Sequence, residues 1–317
     1  MEMLPSVSIV IPAFNEEQYI EQTLISLRQS DYPSNLIEII VVDNASSDRT
    51  PQIAHRYADK VLTLTNGNVG AVRNRGVKES TSDIIIFVDA DCLVDRDWVY
   101  RGIRRLSENK NCIFGGPYKT REHANWVERL WLLENPNHPR IQPDLLGGCI
   151  FVRSVDFKSV GGFNEEMTSG EDSDLSDKFR RQGKTVNISQ DLSVVHLGNP
   201  QTIGDFLRRQ VWHSENYLLF IKSSIRDYTF WIIVFFILSS FTSLFGILSS
   251  QIQFAVLGLT SMAALSMTLS LKRLFLTRFT PRSLKDSLGI AFLDFLYLVA
   301  RSIGLLKPLI RNKGKSN

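Results

Sequence analysis

Short apolar runs alternate with amphipathic stretches along the N-terminal part of the chain. Four apolar runs, rich in β-branched residues, are expected to be strands covered on both faces: Val7–Ile11, Ile37–Asp43, Val61–Leu64 and Ile84–Asp89. Three stretches between them have helical spacing: Glu16–Gln29, Asp48–Ala58 and Val69–Glu79. Asp48 is placed to cap the second of these helices. The repeat predicts an α/β fold with a mostly parallel open sheet flanked by helices, in which ligands bind beyond the carboxyl ends of the strands.

The pattern becomes uniformly apolar after about Arg226. Residues Thr229–Ser250 carry no charge over 22 positions, and Phe254–Leu271 is a second uncharged run. An α-helix needs about 20 apolar residues to cross a bilayer, so the two runs predict a transmembrane hairpin. Buried core helices are the alternative, but runs of this length without a charge are rare in soluble folds.

Basic residues flank the predicted hairpin on both sides. Those before it are Arg208, Arg209, Lys222 and Arg226, and those after it are Lys272, Arg273, Arg278, Arg282 and Lys285. By the positive-inside rule, both ends of the hairpin are expected in the cytosol. A third apolar stretch, about residues 287–306, contains Asp294 and Arg301 and precedes a basic tail. We expect an interfacial amphipathic helix there, or one packed on the hairpin with both charges turned inward, rather than a third span.

Three segments follow from this pattern. They are a catalytic domain over residues 1–225, a transmembrane hairpin over 226–271 and a basic cytosolic segment over 272–317. The net charge of +3 is too small to indicate a nucleic-acid partner. The cysteines Cys92, Cys112 and Cys149 are odd in number and form no C-x-x-C pair, which predicts reduced, buried thiols in a cytosolic compartment. The N-terminus has no signal-peptide pattern.

An acidic pair closes the strand predicted at Ile84–Asp89. Residues two apart in an extended strand point to the same side, so Asp89 and Asp91 are expected to leave the sheet together. Adjacent carboxylates repel each other unless a cation is present, and hard oxygen ligands favour Mg²⁺ or Mn²⁺. The alternative is an acidic pair that only caps the following helix.

Two other positions suit a nucleotide. Asp43 ends the second predicted strand, where its carboxylate is placed to accept hydrogen bonds from a base or a ribose. Arg73 lies on the first turns of the helix entered at Asn68, and arginine near a helix N-terminus suits phosphate or the edge of a base. The turns contain neither a P-loop nor a G-x-G-x-x-G sequence, which disfavours P-loop kinases and Rossmann dehydrogenases or methyltransferases.

Taken in order, these motifs resemble the family 2 inverting glycosyltransferases of the GT-A fold. The segments that carry the resemblance are VSIVIPAFNEE, VVDNASSDRT, NVGAVRNRG, VDAD, LLGGCIFVR, and GGFN followed by GEDSDL. They fall within residues 5–215. The resemblance implies a nucleotide-diphospho-sugar transferase fold, Mn²⁺ or Mg²⁺ as cofactor, and a membrane-anchored, bacterial-type enzyme of polysaccharide or glycolipid synthesis.

The resemblance also implies roles for individual residues. The residues implied to bind the donor are Pro12, Ala13, Asn15, Glu16, Asp43, Arg73, Asp89, Gly147 and Gly148. Within this set, Asp43 is expected at the base and Asp89 beside the ribose. Asp91 is the expected metal ligand, together with Asp89. Asp172 is the expected general base, with Glu171 and Asp174 as rivals that could instead stabilise the start of their helix.

Three later residues have two interpretations each. His196 ends another apolar strand and is expected to be a third metal ligand or a diphosphate contact, with a structural role as the alternative. Arg209 and Trp212 lie where processive members carry Q-x-x-R-W, and are expected to flank the acceptor or to lie at the lipid headgroups. The order and spacing of that motif differ here, which disfavours a polymer-extruding synthase.

The expected function is an inverting sugar transfer from a nucleotide-diphosphate sugar, with a UDP-sugar as the expected donor. One carboxylate takes the proton of the attacking hydroxyl while a metal neutralises the departing diphosphate. The expected location of the catalytic domain is the cytoplasmic face of a bacterial or archaeal plasma membrane, which favours a lipid-linked or saccharide acceptor. The alternatives are a processive polysaccharide synthase, a catalytically silent scaffold that binds sugar nucleotides, and a nucleotidyltransferase.

Overall fold

The computed structural model describes residues 4–135, 137, 143–167, 169–214, 217–218 and 221–311. Contacts divide the chain into two compact units. The first comprises Met1–Arg121 and Ile141–Gly198, and the second comprises Glu122–Arg140 and Asn199–Asn317. Residues 199–225, which the hydropathy pattern joins to the catalytic domain, cluster with the second unit. The basic tail predicted beyond Arg311 lies outside the described residues.

The first unit holds all the strands that the structure describes. They are β1 Val7–Ala13, β2 Ile37–Asp43, β3 Lys60–Thr63, β4 Ile84–Phe87, β5 Cys92–Leu93, β6 Cys112–Gly115, β7 Tyr118–Lys119, β8 Ile150–Arg153, β9 Thr185–Ile188 and β10 Val194–His196. The helices of both units are α1 Ile20–Arg28, α2 Thr50–Tyr57, α3 Val69–Glu79, α4 Trp98–Glu108, α5 Trp126–Leu132, α6 Ser154–Ser159, α7 Glu171–Arg181, α8 Ile203–Ser214, α9 Ile221–Ser224, α10 Tyr228–Leu248, α11 Ile252–Thr277 and α12 Leu284–Arg311. Helix α5 and helices α8 to α12 belong to the second unit.

The expected open, mostly parallel sheet is confirmed. Seven strands lie in the order β3-β2-β1-β4-β8-β6-β9. Strand β8 runs antiparallel to β4 and β6, and the other neighbours are parallel. Ala13 at the end of β1 pairs with Asp43 at the end of β2, so the two tips meet at the same edge. A small second sheet, β5-β10-β7, lies in the same unit.

Several predicted element boundaries differ from the structure by two residues or more, and the ends of β4 and α1 show why. Strand β4 ends at Phe87 and not at Asp89, because Ala90 and Asp91 form a turn in which the backbone N–H of Cys92 donates to the carbonyl of Asp89 (3.1 Å). Helix α1 begins at Ile20 and not at Glu16, because residues 17–19 form a turn in which the Glu16 carbonyl accepts from the backbone N–H groups of both Tyr19 (3.0 Å) and Ile20 (3.0 Å).

The prediction that Asp48 caps α2 is confirmed in part. Arg49 occupies the N-cap position of α2, and its side chain makes no capping hydrogen bond. The carboxylate of Asp48 nonetheless accepts a hydrogen bond from the backbone N–H of Thr50 (2.9 Å), at the first helical residue. Asp48 therefore satisfies one of the free N–H groups at this helix end.

The core of the first unit lies on both faces of the large sheet. One cluster packs α1 and α4 against the sheet around Trp98, Leu24 and Ile86, all fully buried. A second cluster packs the opposite face around Phe87 and Phe179. Cover on both faces explains why these strands are near-continuously apolar in sequence.

The second unit contains three helices that are long and apolar enough to cross a membrane. They are Tyr228–Leu248, Ile252–Thr277 and Leu284–Lys307, the last being most of α12. The first two correspond to the predicted spans, about 229–250 and 254–271. The third contains Asp294, which is fully buried and accepts hydrogen bonds from Arg273 and from the Ser270 hydroxyl (2.7 Å) of α11. Asp294 is thus turned inward against α11.

Candidate active site

The loop after β1 is fixed to the loop after β2. Asn15 has a left-handed backbone (φ 55°), a conformation that asparagine tolerates better than most residues. Its backbone N–H donates to the Ser46 hydroxyl (2.8 Å), and its side-chain oxygen accepts from the backbone N–H of Ser47 (2.8 Å). These bonds, with the one from Glu16 to Thr50, hold the predicted donor residues Pro12, Ala13, Asn15 and Glu16 in one loop at the edge of the sheet.

Asp43 lies at the tip of β2, where one of its carboxylate oxygens accepts a hydrogen bond and the other does not. Its side chain is 3% exposed, and Oδ2 accepts from the backbone N–H of Ser46 (3.1 Å). Oδ1 is buried and has no hydrogen-bond partner among the residues that the structure describes. Buried polar oxygens are normally satisfied, so this one is suited to accept an N–H or O–H from a bound ligand.

Arg73 connects two carboxylates that are far apart in the sequence. It lies on α3, whose N-terminus is capped by the Asn68 side chain (2.9 Å to the Ala71 N–H). Arg73 is 3% exposed, and its guanidinium donates 2.7 Å bonds to Asp89 and to Glu171. Burial opposes the charge, but the two carboxylates outweigh it and raise the pKa of Arg73. Arg73 therefore stays charged and ties the tip of β4 to the start of α7.

Tyr118 completes the surroundings of Asp89. The Tyr118 hydroxyl donates to Asp89 Oδ2 (2.8 Å) and accepts from the backbone N–H of Gly148 (3.0 Å). Burial disfavours the Asp89 charge, but Arg73 and Tyr118 outweigh it and hold the pKa of that carboxyl below its ordinary value. No sequence motif marks Tyr118, which is a single tyrosine in the two-residue strand β7.

The two predicted donor glycines allow this network to form. A Cβ on Gly147 would lie 2.2 Å from Arg73 Nη2, and a Cβ on Gly148 would lie 2.5 Å from Asp89 Oδ2. Real side chains do not approach so closely, so a side chain at either position would displace the ion pair or the backbone before β8.

Four side chains with metal-ligating atoms meet beside this network. They are Asp89, Asp91, Cys92 and His196, whose ligand atoms all lie within 4.8 Å of one another. His196 Nε2 is 3.4 Å from Asp91 Oδ2, so the predicted ligands Asp91 and His196 are brought together. Burial, and then the charges of Asp91 and Asp89, raise the pKa of nearby Glu16 to about 8. This concentration of carboxylates around one imidazole fits a divalent cation.

The predicted base and its rival differ in their surroundings. Glu171 is buried and bound to Arg73, at the start of α7 after the left-handed Gly170 (φ 81°). Asp172 is half-buried, and its Oδ1 accepts from the backbone N–H of Ser173 (2.8 Å). Burial, and then the charge of Glu171, raise the pKa of Asp172. A raised pKa makes Asp172 the stronger proton acceptor once it is ionised.

The residues predicted at the acceptor lie on α8 in the second unit. Trp212 is 57% exposed, and its ring lies 4.8 Å from the ring of His213. Arg209 lies on the same helix. Their assignment to the acceptor stays a prediction.

Comparisons with known proteins point to a single kind of enzyme. The sequence model of "Glycosyl transferase family 2" matches residues 8–157, and that of "Glycosyl transferase family group 2" matches residues 84–300. Glycosyltransferase AglE of Haloferax volcanii is 26% identical over 221 residues, which are 65% of this chain and 71% of that protein. Poly(ribitol-phosphate) beta-N-acetylglucosaminyltransferase TarS of Staphylococcus aureus is 33% identical over 96 residues, 28% of this chain and 17% of that protein. The chain thus matches under a fifth of the length of TarS.

A solved structure shows the same fold over nearly the whole chain. Mannosyltransferase PcManGT from Pyrobaculum calidifontis, solved with GDP-Man and Mn²⁺, superposes with a TM-score of 0.58 at 18% identity. The superposition covers 96% of this chain and 88% of that one. The GT-A type of fold is thereby confirmed.

Proposed function

The chain belongs to glycosyl transferase family group 2, and we propose that it transfers a sugar, with inversion, from a nucleotide-diphosphate sugar to an acceptor at a membrane. The observation that supports this proposal is that Arg73 pairs with Asp89, which also belongs to the cluster of Asp91 and His196. Asp172 follows Glu171, the second partner of Arg73, and Asp43 ends strand β2 of the large sheet with an open oxygen.

Donor binding is the task of Asp43 and of the groups around Asp89. Asp43 receives an N–H of the base, and the loop of Pro12, Ala13, Asn15 and Glu16 lines the nucleotide. Asp89 lies beside the ribose. Asp91, Asp89 and His196 hold Mn²⁺ or Mg²⁺, which when bound neutralises charge on the departing diphosphate.

Proton removal is the task of Asp172. The acceptor oxygen forms a bond to the anomeric carbon while the bond from that carbon to the diphosphate oxygen breaks. Asp172 takes the proton that the acceptor hydroxyl loses, and the single displacement inverts the anomeric centre without a covalent enzyme intermediate. Glu171 is the weaker candidate because Arg73 already holds its carboxylate.

The three long apolar helices support an acceptor that is itself in the membrane. We propose that the catalytic unit works on the cytoplasmic face and that the acceptor is lipid-linked. A UDP-sugar is the proposed donor from the motifs, and the GDP-Man bound by PcManGT makes guanosine sugars the first alternative to test.

The test is nucleotide release by the detergent-purified chain across a panel of UDP-, GDP- and other nucleotide sugars. Each donor is tested with Mn²⁺, with Mg²⁺ and with chelator, and a membrane lipid extract supplies the acceptor. We expect metal-dependent release from one donor and transfer of its sugar to one lipid. Release of long polymer would favour a processive synthase instead. A folded, metal-binding protein that releases nucleotide from no donor would favour a silent scaffold.

A further inference from the structure

We propose that Cys92 is a protein ligand of the metal site, beside Asp91 and His196, so that the site prefers Co²⁺ and Zn²⁺ to Mg²⁺. This inference rests on the metal site of the proposed function, but it replaces Asp89 with Cys92 as the third ligand and Mg²⁺ with Co²⁺ or Zn²⁺ as the preferred ion. It gives Cys92 a chemical role in place of the inert, buried thiol that its sequence position indicates.

The register of the small sheet places Cys92 and His196 on the same side. Strands β5 and β10 are antiparallel, and His196 lies directly opposite Cys92. Side chains of directly opposed residues project from the same face of a sheet. The backbone N–H of Leu197 also donates to the carbonyl of Asp91 (2.7 Å), which continues the pairing to the next residue. Sheet pairing therefore sets the sulfur and the imidazole side by side.

Asp91 approaches the same point from the turn before β5. The Cys92 sulfur is 3.8 Å from Asp91 Oδ1, and His196 Nε2 is 3.4 Å from Asp91 Oδ2. A Cβ on Gly198 would lie 1.9 Å from Asp91 Oδ2, so glycine at that position is what admits the carboxylate. Asp91 thus has one oxygen near the sulfur and one near the imidazole.

Asp89 is the fourth member of the cluster, and its oxygens already have strong donors. Arg73 binds Oδ1 at 2.7 Å, and the Tyr118 hydroxyl binds Oδ2 at 2.8 Å. An ion would have to compete with both for Asp89. We therefore assign the ion to the other three members of the cluster, which supply a carboxylate of Asp91, the imidazole of His196 and a thiolate of Cys92.

One oxygen, one nitrogen and one sulfur ligand define the metal preference. Thiolates are soft ligands that favour zinc-like ions, whereas Mg²⁺ prefers oxygen. Three protein ligands with an open position are also the usual set of a catalytic zinc site, and a diphosphate oxygen would fill the open position. The Cys92 thiol releases its proton to solvent when the ion binds.

The other two cysteines provide matched controls. The Cys149 sulfur lies 3.0 Å from the carbonyl of Leu192, and the Cys112 sulfur lies 3.8 Å from the carbonyl of Ile113. Both are buried like Cys92, but neither belongs to the four-residue cluster. A metal signal that any buried thiol could give would therefore weaken when any of the three cysteines is replaced. A signal from a metal ligand would be lost only when Cys92 is replaced.

The experiment is a Co²⁺ titration of the full-length, detergent-purified chain, followed by near-ultraviolet absorption. A thiolate bound to Co²⁺ gives a charge-transfer band that oxygen and nitrogen ligands do not give. We expect the band in the wild type and in Cys112→Ser, and its loss in Cys92→Ser. The Cys112→Ser/Cys149→Ser variant keeps Cys92 as its only thiol and should retain the band, which keeps the test decisive if Cys92→Ser does not fold.

Metal competition gives a second readout. Loss of a metal ligand should cost at least as much as loss of its outer partners, which is about 10–100-fold. We therefore expect Cys92→Ser to bind Zn²⁺ at least about tenfold more weakly, while its Mg²⁺ affinity changes by less than about threefold.

Three outcomes would overturn the inference. They are Co²⁺ binding by calorimetry without the band, a band that survives in Cys92→Ser, and a chain that does not bind Co²⁺ at all. Nucleotide release with Mn²⁺ is measured on the same preparations. Release that persists in any of these cases would leave the proposed function standing while Cys92 loses its role.

Discussion

Asp172 and Glu171 are adjacent carboxylates that the structure puts to different use. Glu171 is a partner of Arg73, whereas the pKa of Asp172 is raised by burial and by its neighbour's charge. We expect Asp172→Asn to lower the rate of transfer by about 10²–10⁴-fold, the usual contribution of a general base, and to leave donor binding intact. Transfer rates and nucleotide affinity are measured on the same preparation.

Asp174 supplies the control for that substitution. It lies on the same helix, two residues further on, and pairs with Lys178 (3.0 Å). Asp174→Asn should leave the transfer rate near that of the wild type. Undiminished transfer by Asp172→Asn would remove Asp172 from the mechanism.

The raised pKa of Asp172 predicts a particular dependence on pH. The base works only when ionised, so kcat/KM falls as the pH drops through the pKa of Asp172. An ordinary aspartate has a pKa of about 3.9, and we expect the acid limb above that value. The measurement is kcat/KM against pH for the acceptor, with donor and Mn²⁺ saturating. An acid limb at or below about 3.9 would contradict the prediction.

Residue-level prediction was possible where a residue belongs to a local motif. Asp43, Asp89, Asp91 and His196 each lie at or just after the end of an apolar strand, and the structure brings Asp89, Asp91 and His196 into one cluster. Their roles stay predictions. Tyr118 has no such signal: it reaches Asp89 from 29 positions away along the chain. Cys92 was interpreted as an inert thiol because its proximity to His196 depends on the pairing of β5 with β10, which sequence does not reveal.

At the scale of elements, the segment before β8 is shaped by its glycines. The substitution Gly148→Ala places a methyl group 2.5 Å from Asp89 Oδ2 and 2.7 Å from the Tyr118 hydroxyl. We expect the hydrogen bonds between them to break, with a loss on the order of 1–3 kcal/mol in the free energy of unfolding and weaker donor binding. Denaturant unfolding and nucleotide titration measure the two effects.

Gly204 is the matched control for Gly148. It lies on α8, and a Cβ there meets nothing closer than the Thr202 hydroxyl at 3.7 Å. Gly204→Ala should keep or slightly raise stability, because alanine favours a helix over glycine. Equal losses in the free energy of unfolding from both substitutions would show that the close approach at Gly148 does not affect stability.

Buried strands explain two limits of element prediction. Strand β8 runs antiparallel between β4 and β6, yet its apolar sequence is like that of its parallel neighbours, since both kinds are covered on two faces. The strand predicted to reach Asp89 stops at Phe87, because residues 90–91 form a turn. The prediction assumed that the backbone stays extended through this acidic pair. Patterns of burial give the position of a strand, but not its direction or its last residue.

Helices α11 and α12 are joined by a buried ion pair. Arg273 donates to the fully buried Asp294, and its guanidinium lies 4.1 Å from the centre of the Trp131 ring. We expect Arg273→Ala to destabilise the chain by on the order of 3–5 kcal/mol, because a buried carboxylate is left without its partner. Thermal unfolding in detergent should show a lower Tm.

The exposed pair of Arg208 and Asp205 on α8 is the comparison for Arg273. The Arg208 side chain is 81% exposed, and water replaces its contacts when it is removed. Arg208→Ala should leave the Tm almost unchanged. A Tm for Arg273→Ala equal to that of Arg208→Ala would mean that Asp294 is neutral or hydrated.

At the scale of the whole molecule, the hydropathy pattern locates the long apolar helices, whereas the two compact units depend on contacts that it does not reveal. The uncharged runs correspond to α10 and α11, because length and lack of charge are direct requirements of a bilayer. Residues 122–140 belong to the second unit although they lie between two parts of the first. Nothing in their composition signals this, since membership depends on contacts with residues far along the chain.

The side of the membrane on which the C-terminus lies shows whether the chain crosses the membrane two or three times. Helix α12 is long enough to cross, but the basic residues after it favour the cytosol, so we expect the C-terminus on the same side as the catalytic unit. A Ser316→Cys variant tests this with a membrane-impermeant maleimide. The native cysteines are buried and should stay silent. Labelling in inside-out vesicles and not in right-side-out vesicles is the expected result, and the reverse pattern would establish a third span.

The order of strands in the large sheet has a consequence for biosynthesis. Strands β8 and β9 complete the sheet beside β4 and β6, so the ribosome must translate as far as Ile188 before the sheet can close. The first long apolar helix begins only at Tyr228. Domains fold as units from the N-terminus while the chain is being made. The first unit therefore has all its described strands before the first long apolar helix has been made, so its sheet can close before that helix reaches a membrane.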